Sequence, residues 1–296
     1  MKNYNSVLII YNPNAMKGKI DEHLPYIKQR LLLRYAQVDS MYSPTEDGAE
    51  TLALKNAGKY DIVVACGGDG TVNQVINGVV KSKANSVVAI LPFGTGNDIA
   101  RTLNISQDLD KAIDSILRLN ITNYDLMCDG SHYITSSLAT GYLTSVTYST
   151  SNKAKKRMGR FAYFLSCFKY MFKFKTLPIT ITCDGERIHN KFVFFMLLNT
   201  SGVGGFSINE KDDFCNGKVK MLLIQKSKFL GSFFAFVKLF TRGINSVKKS
   251  KLVTIKDIKD VEIENHSNSP FTMDGEKIKF LKKTISVSTP ITIVKN

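Results

Sequence analysis

The sequence has no uninterrupted apolar stretch near the ~18–20 residues that a helix needs to cross a bilayer, which excludes a helical transmembrane protein. Its opening residues, MKNYNSVLIIYNPN, offer only a short apolar run before Asn12 and Pro13. That is less than the ~7–15-residue core of a signal peptide, so none is expected. The five cysteines (Cys66, Cys128, Cys167, Cys183, Cys215) are odd in number, scattered and without a C-x-x-C pair. They read as reduced packing residues of a cytoplasmic protein rather than as a disulfide or zinc framework. The four histidines have no ligand spacing, and no G-x-S-x-G elbow exists. Low-complexity segments and Gly/Ser linkers are also missing.

The remainder is an ordinary globular composition, 44% apolar and 22% charged over 296 residues. That length suits two compact units of ~100–200 residues each. Charge divides them. Residues 1–125 carry 13 basic and 13 acidic side chains, whereas 126–296 carry 27 and 12 and so hold the whole net charge of +15. The second unit is therefore expected to face an anionic partner.

Pattern divides the chain at the same place. Residues 7–11, 61–66 and 87–91 are short Val/Ile-rich runs, as expected for strands buried on both faces of a parallel sheet. Val72, Val75, Ile76, Val79 and Val80 repeat at helical spacing, with Thr71 placed to cap the first turn. Leu109, Ala112, Ile113, Ile116 and Leu117 do the same behind Asp108. The first unit is therefore expected to be a wound α/β domain over 1–125, with the tail 288–296 expected to complete it. The second, 126–287, is β-rich, with strands expected at 133–138, 179–183, 192–198, 219–224, 252–255, 261–264 and 285–294. Helical patterns interrupt it near 160–172 and 229–240. The expected fold is an α/β nucleotide-binding domain followed by a mostly antiparallel β-sandwich.

Two glycine-rich loops carry the chemistry. Gly67-Gly68-Asp69-Gly70-Thr71 leaves one strand and opens a helix, so its backbone amides can approach a phosphate. Pro92-Phe93-Gly94-Thr95-Gly96-Asn97-Asp98 leaves the next strand in the same way. Glycines that merely make tight strand–helix turns are the plain alternative. The G-x-x-x-x-G-K-[ST] motif is absent, and Ile99 stands where a dinucleotide fingerprint needs its third glycine. Each loop instead holds a carboxylate, Asp69 or Asp98. A carboxylate beside phosphates needs a divalent cation, which suggests magnesium–nucleotide chemistry. Tyr11-Asn12-Pro13 ends the first strand and can line the same crevice. Two Asp-Gly-Glu segments, 184–186 and 274–276, read equally as hairpin turns, and spacing does not choose between them.

These elements resemble the bacterial-type diacylglycerol kinase family, soluble lipid kinases related to sphingosine kinases. The match rests on the Asn12-Pro13 turn, Gly67-Gly68-Asp69-Gly70-Thr71 with Asn73, Gly94-Thr95-Gly96-Asn97-Asp98, and Asp274-Gly275-Glu276. The resemblance implies ATP contacted by Asn12, Pro13, Asn14, Ala15, Met16, Ser43, Gly68, Asp69, Gly70, Thr71, Val72, Asn73, Gln74, Thr95, Gly96 and Asn97. It implies Glu276, with Asp274 beside it, in the catalytic position. Catalytic Mg2+ falls to Asp69 and Asp98, and a structural Mg2+ to Asp213, Asn216 and the carbonyl of Lys218. Two departures stand out. The family's Asn-Pro-x-Ser-Gly turn reads Asn12-Pro13-Asn14-Ala15-Met16 here, and Asn216 replaces an aspartate of the structural site.

The acceptor side is basic and Phe-rich. Residues 149–183 hold eight cations and no acid, interleaved with Phe161, Phe164, Leu165, Phe168 and Phe172. Phe229, Phe233, Phe234, Phe236 and Phe240 form a second such pattern beside Lys226, Lys228, Lys238 and Arg242. Such elements suit an anionic membrane interface, although the same stripes can simply fill a core. With no recognition motif present, nucleic acid is not expected. The sequence thus reads as a peripheral, cytoplasmic lipid kinase using MgATP, most simply on diacylglycerol. A homodimer is an open arrangement that no residue specifies. The rivals are an NAD kinase-like enzyme, which shares the Gly-Gly-Asp-Gly-Thr loop, and a non-catalytic module that binds anionic membrane or nucleic acid.

Overall fold

A computed structural model describes residues 4–13, 18–43, 48–141, 176–188, 190–209, 214–228, 230–267 and 269–296. The first half runs β1 (Ser6–Tyr11), α1 (Ile20–Leu31), β2 (Gln37–Tyr42), α2 (Gly48–Asn56), β3 (Ile62–Gly67), α3 (Asp69–Lys81), β4 (Val87–Pro92), α4 (Asp98–Thr102), α5 (Leu109–Arg118) and β5 (Ile121–Cys128). β1, β3 and β4 pair in parallel, β3 and β4 buried along their length and β1 over Val7–Ile10, which is why those stretches are apolar runs. β2 pairs with β1 at the sheet edge. Its sequence QVDSMY has no fully buried residue, so no apolar run announced it.

The helices show what the periodicity does and does not fix. Val72, Val75, Ile76 and Val79 form the buried face of α3 as expected. The cap does not fall on Thr71. Gly68 is the N-cap residue and no side chain caps the helix, whereas Thr71 is buried against Gly67. A Cβ on Gly67 would stand 2.5 Å from Thr71 Oγ1, so that turn closes only around glycine. Asp108 does cap α5, its carboxylate accepting the Lys111 amide at 3.1 Å.

The second half contains β6 (Tyr133–Ile134), β7 (Ser137–Gly141), β8 (Ile179–Cys183), β9 (Glu186–Ile188), β10 (Phe192–Leu198), β11 (Gly202–Val203), β12 (Phe206–Ser207), β13 (Val219–Gln225), α6 (Gly231–Arg242), β14 (Val253–Ile258), β15 (Asp260–Asn265), β16 (Phe271–Met273), β17 (Glu276–Ile278) and β18 (Lys282–Val294). One antiparallel sheet has the order β14-β13-β10-β7-β16-β17. It packs on the antiparallel strands β18-β15-β8-β9, which continue the parallel sheet of the first half. Phe195, Leu197, Met221 and Leu223 meet Ile181, Ile263 and Ile285 in the core between the sheets. On the other face of β10, Phe194, Met196 and Leu198 pack against Phe236, Leu239 and Phe240 of α6. β10 is therefore covered on both sides, as its sequence FVFFMLL requires.

The expected strand over 133–138 is broken at Thr135 and Ser136, whose amides are drawn out of the ladder by a carboxylate described below. The helical pattern at 160–172 lies outside the described residues. Among the described residues no helix is long and apolar enough to cross a membrane. β18 joins the two halves. Residues 282–286 pair with β15, Ile293 pairs in parallel with Val88 of β4, and β5 runs antiparallel along β18 from Ser286 to Val294. The register shifts between Ser288 and Ile291, where Pro290 cannot donate to the ladder.

Candidate active site

The strand order β2-β1-β3-β4 means that the chain leaves β1 on one side for β2 and returns on the other for β3. Ligands of wound sheets bind at such a reversal, outside the carboxyl ends of the strands. Asn12-Pro13 follows β1 there, Ser43 follows β2, Gly68 follows β3, and Phe93-Gly94 follows β4. Three backbone bonds extend the ladders past the strand ends: Ser43 N to Tyr11 O at 2.9 Å, Asn12 N to Cys66 O at 3.2 Å and Phe93 N to Gly67 O at 2.8 Å. The structure thus collects Asn12, Pro13, Ser43, Gly68 and the loop bearing Thr95 along one edge. Asn14, Ala15 and Met16 lie outside the described residues.

The two glycine-rich loops are built against each other. A Cβ on Gly94 would stand 2.5 Å from the Gly68 Cα, and one on Gly96 would stand 2.6 Å from Asp69 Oδ2. The Asp69 carboxylate accepts the amides of Asn97 and Asp98, each at 2.7 Å, and so pins the second loop to the start of α3. Asn97 takes a left-handed conformation, φ +52°, and its side chain closes the loop onto Gly94 N at 2.9 Å and Gly94 O at 2.8 Å. Close packing thus accounts for Gly94 and Gly96. Gly70 and Thr95 remain exposed, and α3 presents a positive N-terminal end that no side chain caps. Burial, and then the Asp98 charge, push the Asp69 carboxyl above its ordinary range, against the pull of the two amides.

Asp98 is also engaged. It pairs with Arg101 at 2.6 Å and accepts Gly204 N at 2.6 Å and Gly205 N at 3.1 Å, tying α4 to the β11–β12 hairpin. An arginine and two amides leave it poorly placed to ligate a metal as well. Asp69 retains lone pairs but is half-buried. Among the described residues no group of three or more His, Cys, Asp or Glu is assembled to hold a cation. In the structure Asp98 acts as a clasp between α4 and the β11–β12 hairpin, and Asp69 as one between the two glycine-rich loops. Of the second expected site, Asp213 lies outside the described residues. The side-chain oxygen of Asn216 turns onto its own loop, accepting Lys218 N at 3.0 Å.

The hairpin between β16 and β17 turns at Asp274-Gly275, with φ of +46° and +94°, a geometry suited to Asp-Gly. The Asp274 carboxylate is enclosed and accepts five bonds. They come from Asn73 Nδ2 at 2.6 Å, Thr135 N at 2.7 Å, Thr135 Oγ1 at 3.1 Å, and Ser136 N and Ser137 N at 2.8 Å each. Those three consecutive amides are what interrupts the strand between β6 and β7. Burial outweighs the donors and holds the Asp274 carboxyl above its ordinary range. The look-alike Asp184-Gly185 turn also has positive φ, but among the described residues the Asp184 carboxylate accepts Lys259 N alone, at 3.3 Å. Glu276 is exposed, and its side chain has no partner among the described residues.

Sequence reasoning missed the partners of these groups. Asn77 lies one turn beyond Asn73 and is fully buried. It bonds both the N–H and the C=O of Tyr133, at 3.0 and 2.8 Å. An asparagine within the apolar stripe of α3 is the signal that could have revealed it. Ser136, Ser137, Gly204 and Gly205 act on these carboxylates through backbone amides, which leave no mark in residue type, and Thr135 adds its hydroxyl to its amide.

Comparison with known proteins gives a consistent answer. The diacylglycerol kinase catalytic domain family model matches residues 6–128. A diacylglycerol kinase of Staphylococcus haemolyticus is 30% identical over 292 residues, covering 95% of this chain and 87% of the relative. That of Staphylococcus saprophyticus is 30% identical over 291 residues, with coverages of 95% and 94%. The fold is shared with a crystal structure of a diacylglycerol kinase from Bacillus anthracis, at a TM-score of 0.79 and 22% identity over 100% of this chain and 98% of that one. A further chain from the same organism superposes at a TM-score of 0.85 with 23% identity, covering 100% and 97%.

Proposed function

The chain belongs to the diacylglycerol kinase family and is an ATP-dependent lipid kinase, and from that premise we propose that it phosphorylates the free hydroxyl of diacylglycerol to give phosphatidic acid. One observation supports a single site for both substrates. Asn73, on the helix that follows the glycine-rich loop, bonds Asp274 in the hairpin that carries Glu276, across 201 positions of sequence.

The proposed work divides among these residues as follows. The Asn12-Pro13 turn, Ser43, the uncapped start of α3 and the exposed Thr95 bind and orient the triphosphate of ATP. A divalent cation, Mg2+ in our reading, travels with the phosphates and neutralises their charge. Asp98 takes no part in holding it, being occupied by Arg101 and the Gly204 and Gly205 amides. Glu276 accepts the proton of the lipid hydroxyl while its oxygen bonds to the γ-phosphorus and the bond from that phosphorus to the ADP oxygen breaks. Asp274 is a positioning residue, since its carboxylate is fully engaged in holding the hairpin to α3. The enzyme works peripherally at an anionic membrane of the cytoplasm, where its acceptor resides.

The test is transfer of label from γ-labelled ATP into the organic-extractable product of micelles carrying diacylglycerol. Labelled phosphatidic acid, lost in Glu276→Gln and lost on chelation of divalent cations, is the expected result. Label in another lipid would correct the acceptor. Label transferred to NAD, with none extractable, would replace the reading with an NAD kinase.

A further inference from the structure

α6 fills the core with one face only. Phe233, Phe236, Leu239 and Phe240 are buried, and Phe236 and Phe240 meet the ring of Phe194 edge-on at 5.4 and 5.9 Å. The Phe stripe is therefore mainly packing. What packing does not explain is the outer face, where Phe234 is 62% exposed and Leu230, at the helix start, is 39% exposed. Single exposed apolar residues are common on protein surfaces, Leu33 and Leu281 among them here, and what distinguishes Leu230 and Phe234 is that they stand one helical turn apart within a rim of cations.

The surroundings select the cover. Residues 218–256 contain ten Lys or Arg and no Asp or Glu. Two of these cations are paired, Lys220 with Asp257 and Lys256 with Glu186. Lys226, Lys228, Lys238, Arg242, Lys248, Lys249 and Lys251 are exposed and have no acidic partner among the described residues. Lys238 lies one turn beyond Phe234, and Arg242 one turn beyond Lys238. An apolar prow set in uncompensated cations matches the boundary between acyl chains and anionic headgroups. A nucleic-acid backbone would use the cations but leave Phe234 and Leu230 uncovered.

We propose that the outer face of α6, with Leu230 and Phe234 inserted and Lys238, Arg242 and the neighbouring lysines on headgroups, is the surface by which this kinase docks on an anionic bilayer. This rests on the lipid-kinase reading and gives it an address. The helix that bears this face adjoins the site through its buried side, because Phe240 of α6 stacks edge-on against Phe206 at 5.9 Å, in the β11–β12 hairpin whose Gly204 and Gly205 amides hold Asp98. A bilayer seated on α6 therefore lies one hairpin away from the glycine-rich loops.

Two variants of the full chain test it: Leu230→Ser with Phe234→Ser, and Lys238→Glu with Arg242→Glu. All four positions are exposed, and unchanged thermal unfolding of either variant keeps the test valid. Flotation is measured with phosphatidylcholine vesicles, with and without phosphatidylglycerol. Transfer is measured on a short-chain, water-soluble diacylglycerol. The expected result is that the unmodified protein floats only with anionic vesicles, that each variant binds about tenfold more weakly, and that transfer to the soluble acceptor is unchanged. Variants that float like the parent would overturn the proposal, as would a parent that binds a DNA duplex but no vesicle. A protein that phosphorylates the soluble acceptor yet never floats leaves the kinase and removes the docking face. One that floats through α6 yet transfers no phosphate does the reverse.

Discussion

Asn73 Nδ2 lies 2.6 Å from Asp274 Oδ2, and this bond ties the helix behind the glycine-rich loop to the hairpin of Glu276. Asn73→Ala removes one of five donors, and its partner remains bonded to Thr135, Ser136 and Ser137. We expect a loss of about 1–2 kcal/mol of stability. Transfer should fall because the two substrates are no longer held in register. A kcat reduced more than KM for ATP, read in steady-state kinetics, is the signature of lost alignment rather than lost nucleotide binding.

Asp274 and Glu276 should separate cleanly. Asp274→Ala leaves five donors without their acceptor, several of them buried, and is expected to destabilise the protein by about 3 kcal/mol or more. Glu276→Gln alters an exposed side chain and should leave the unfolding midpoint within about 0.5 kcal/mol of the parent. Its transfer rate should drop by roughly 10²–10⁴-fold. Denaturant titration and label transfer on the same two preparations decide the matter. Equal loss of stability in both would contradict the division of roles.

Gly94→Ala brings a methyl group to 2.5 Å of the Gly68 backbone and 2.7 Å of Asn97 Oδ1. The first neighbour is backbone and the second is a side-chain oxygen held by the Gly94 amide, so the loops must part, at a cost of about 1–3 kcal/mol. Gly68→Ala, whose added carbon would meet Gly94 Cα at 3.2 Å, should be milder. The order of the two in ATP affinity, measured by calorimetry, checks that the loops bind nucleotide as one surface.

The raised carboxyls of Asp69 and Asp274 set a direction for acid stability. A carboxyl that holds its proton more tightly in the folded than in the unfolded chain makes folding less favourable as pH rises. The loss begins at the ordinary carboxylate range and ends once the folded-state groups have ionised. Over that window the unfolding midpoint should decline with rising pH, after other groups are accounted for. The decline should be shallower in Asp69→Asn. A steeper one in the variant would show that the amides of Asn97 and Asp98, not burial, govern Asp69.

The sequence and the structure agree where one physical cause dominates. Strands covered on both faces advertise themselves as apolar runs, so β3, β4 and β10 were legible in place and type. β2 was not, because an edge strand with one open side needs no such run. The glycines of both loops were legible as turns, yet their reason, loop against loop, depends on neighbours 26 positions apart that no local pattern encodes. A carboxylate among glycines suits a cation, and that is all the residue type of Asp98 conveys. The charge that answers it is Arg101, one helical turn away, together with amides from the other half of the chain. Asp184 and Asp274 are indistinguishable in sequence because their difference lies wholly in what surrounds them.

β18 gives the molecule an order of assembly. On a ribosome, β1, β3 and β4 are made early, but Ile293, which pairs with Val88, emerges roughly two hundred residues later. Until then one flank of β4 is an open edge, a template for mispairing with other chains. The clasp between Asn73 and Asp274 must wait almost as long. A nascent chain can thus form the parallel sheet without holding the hairpin of Glu276 against it, and the junction that aligns both substrates closes only once β16 and β18 have been made.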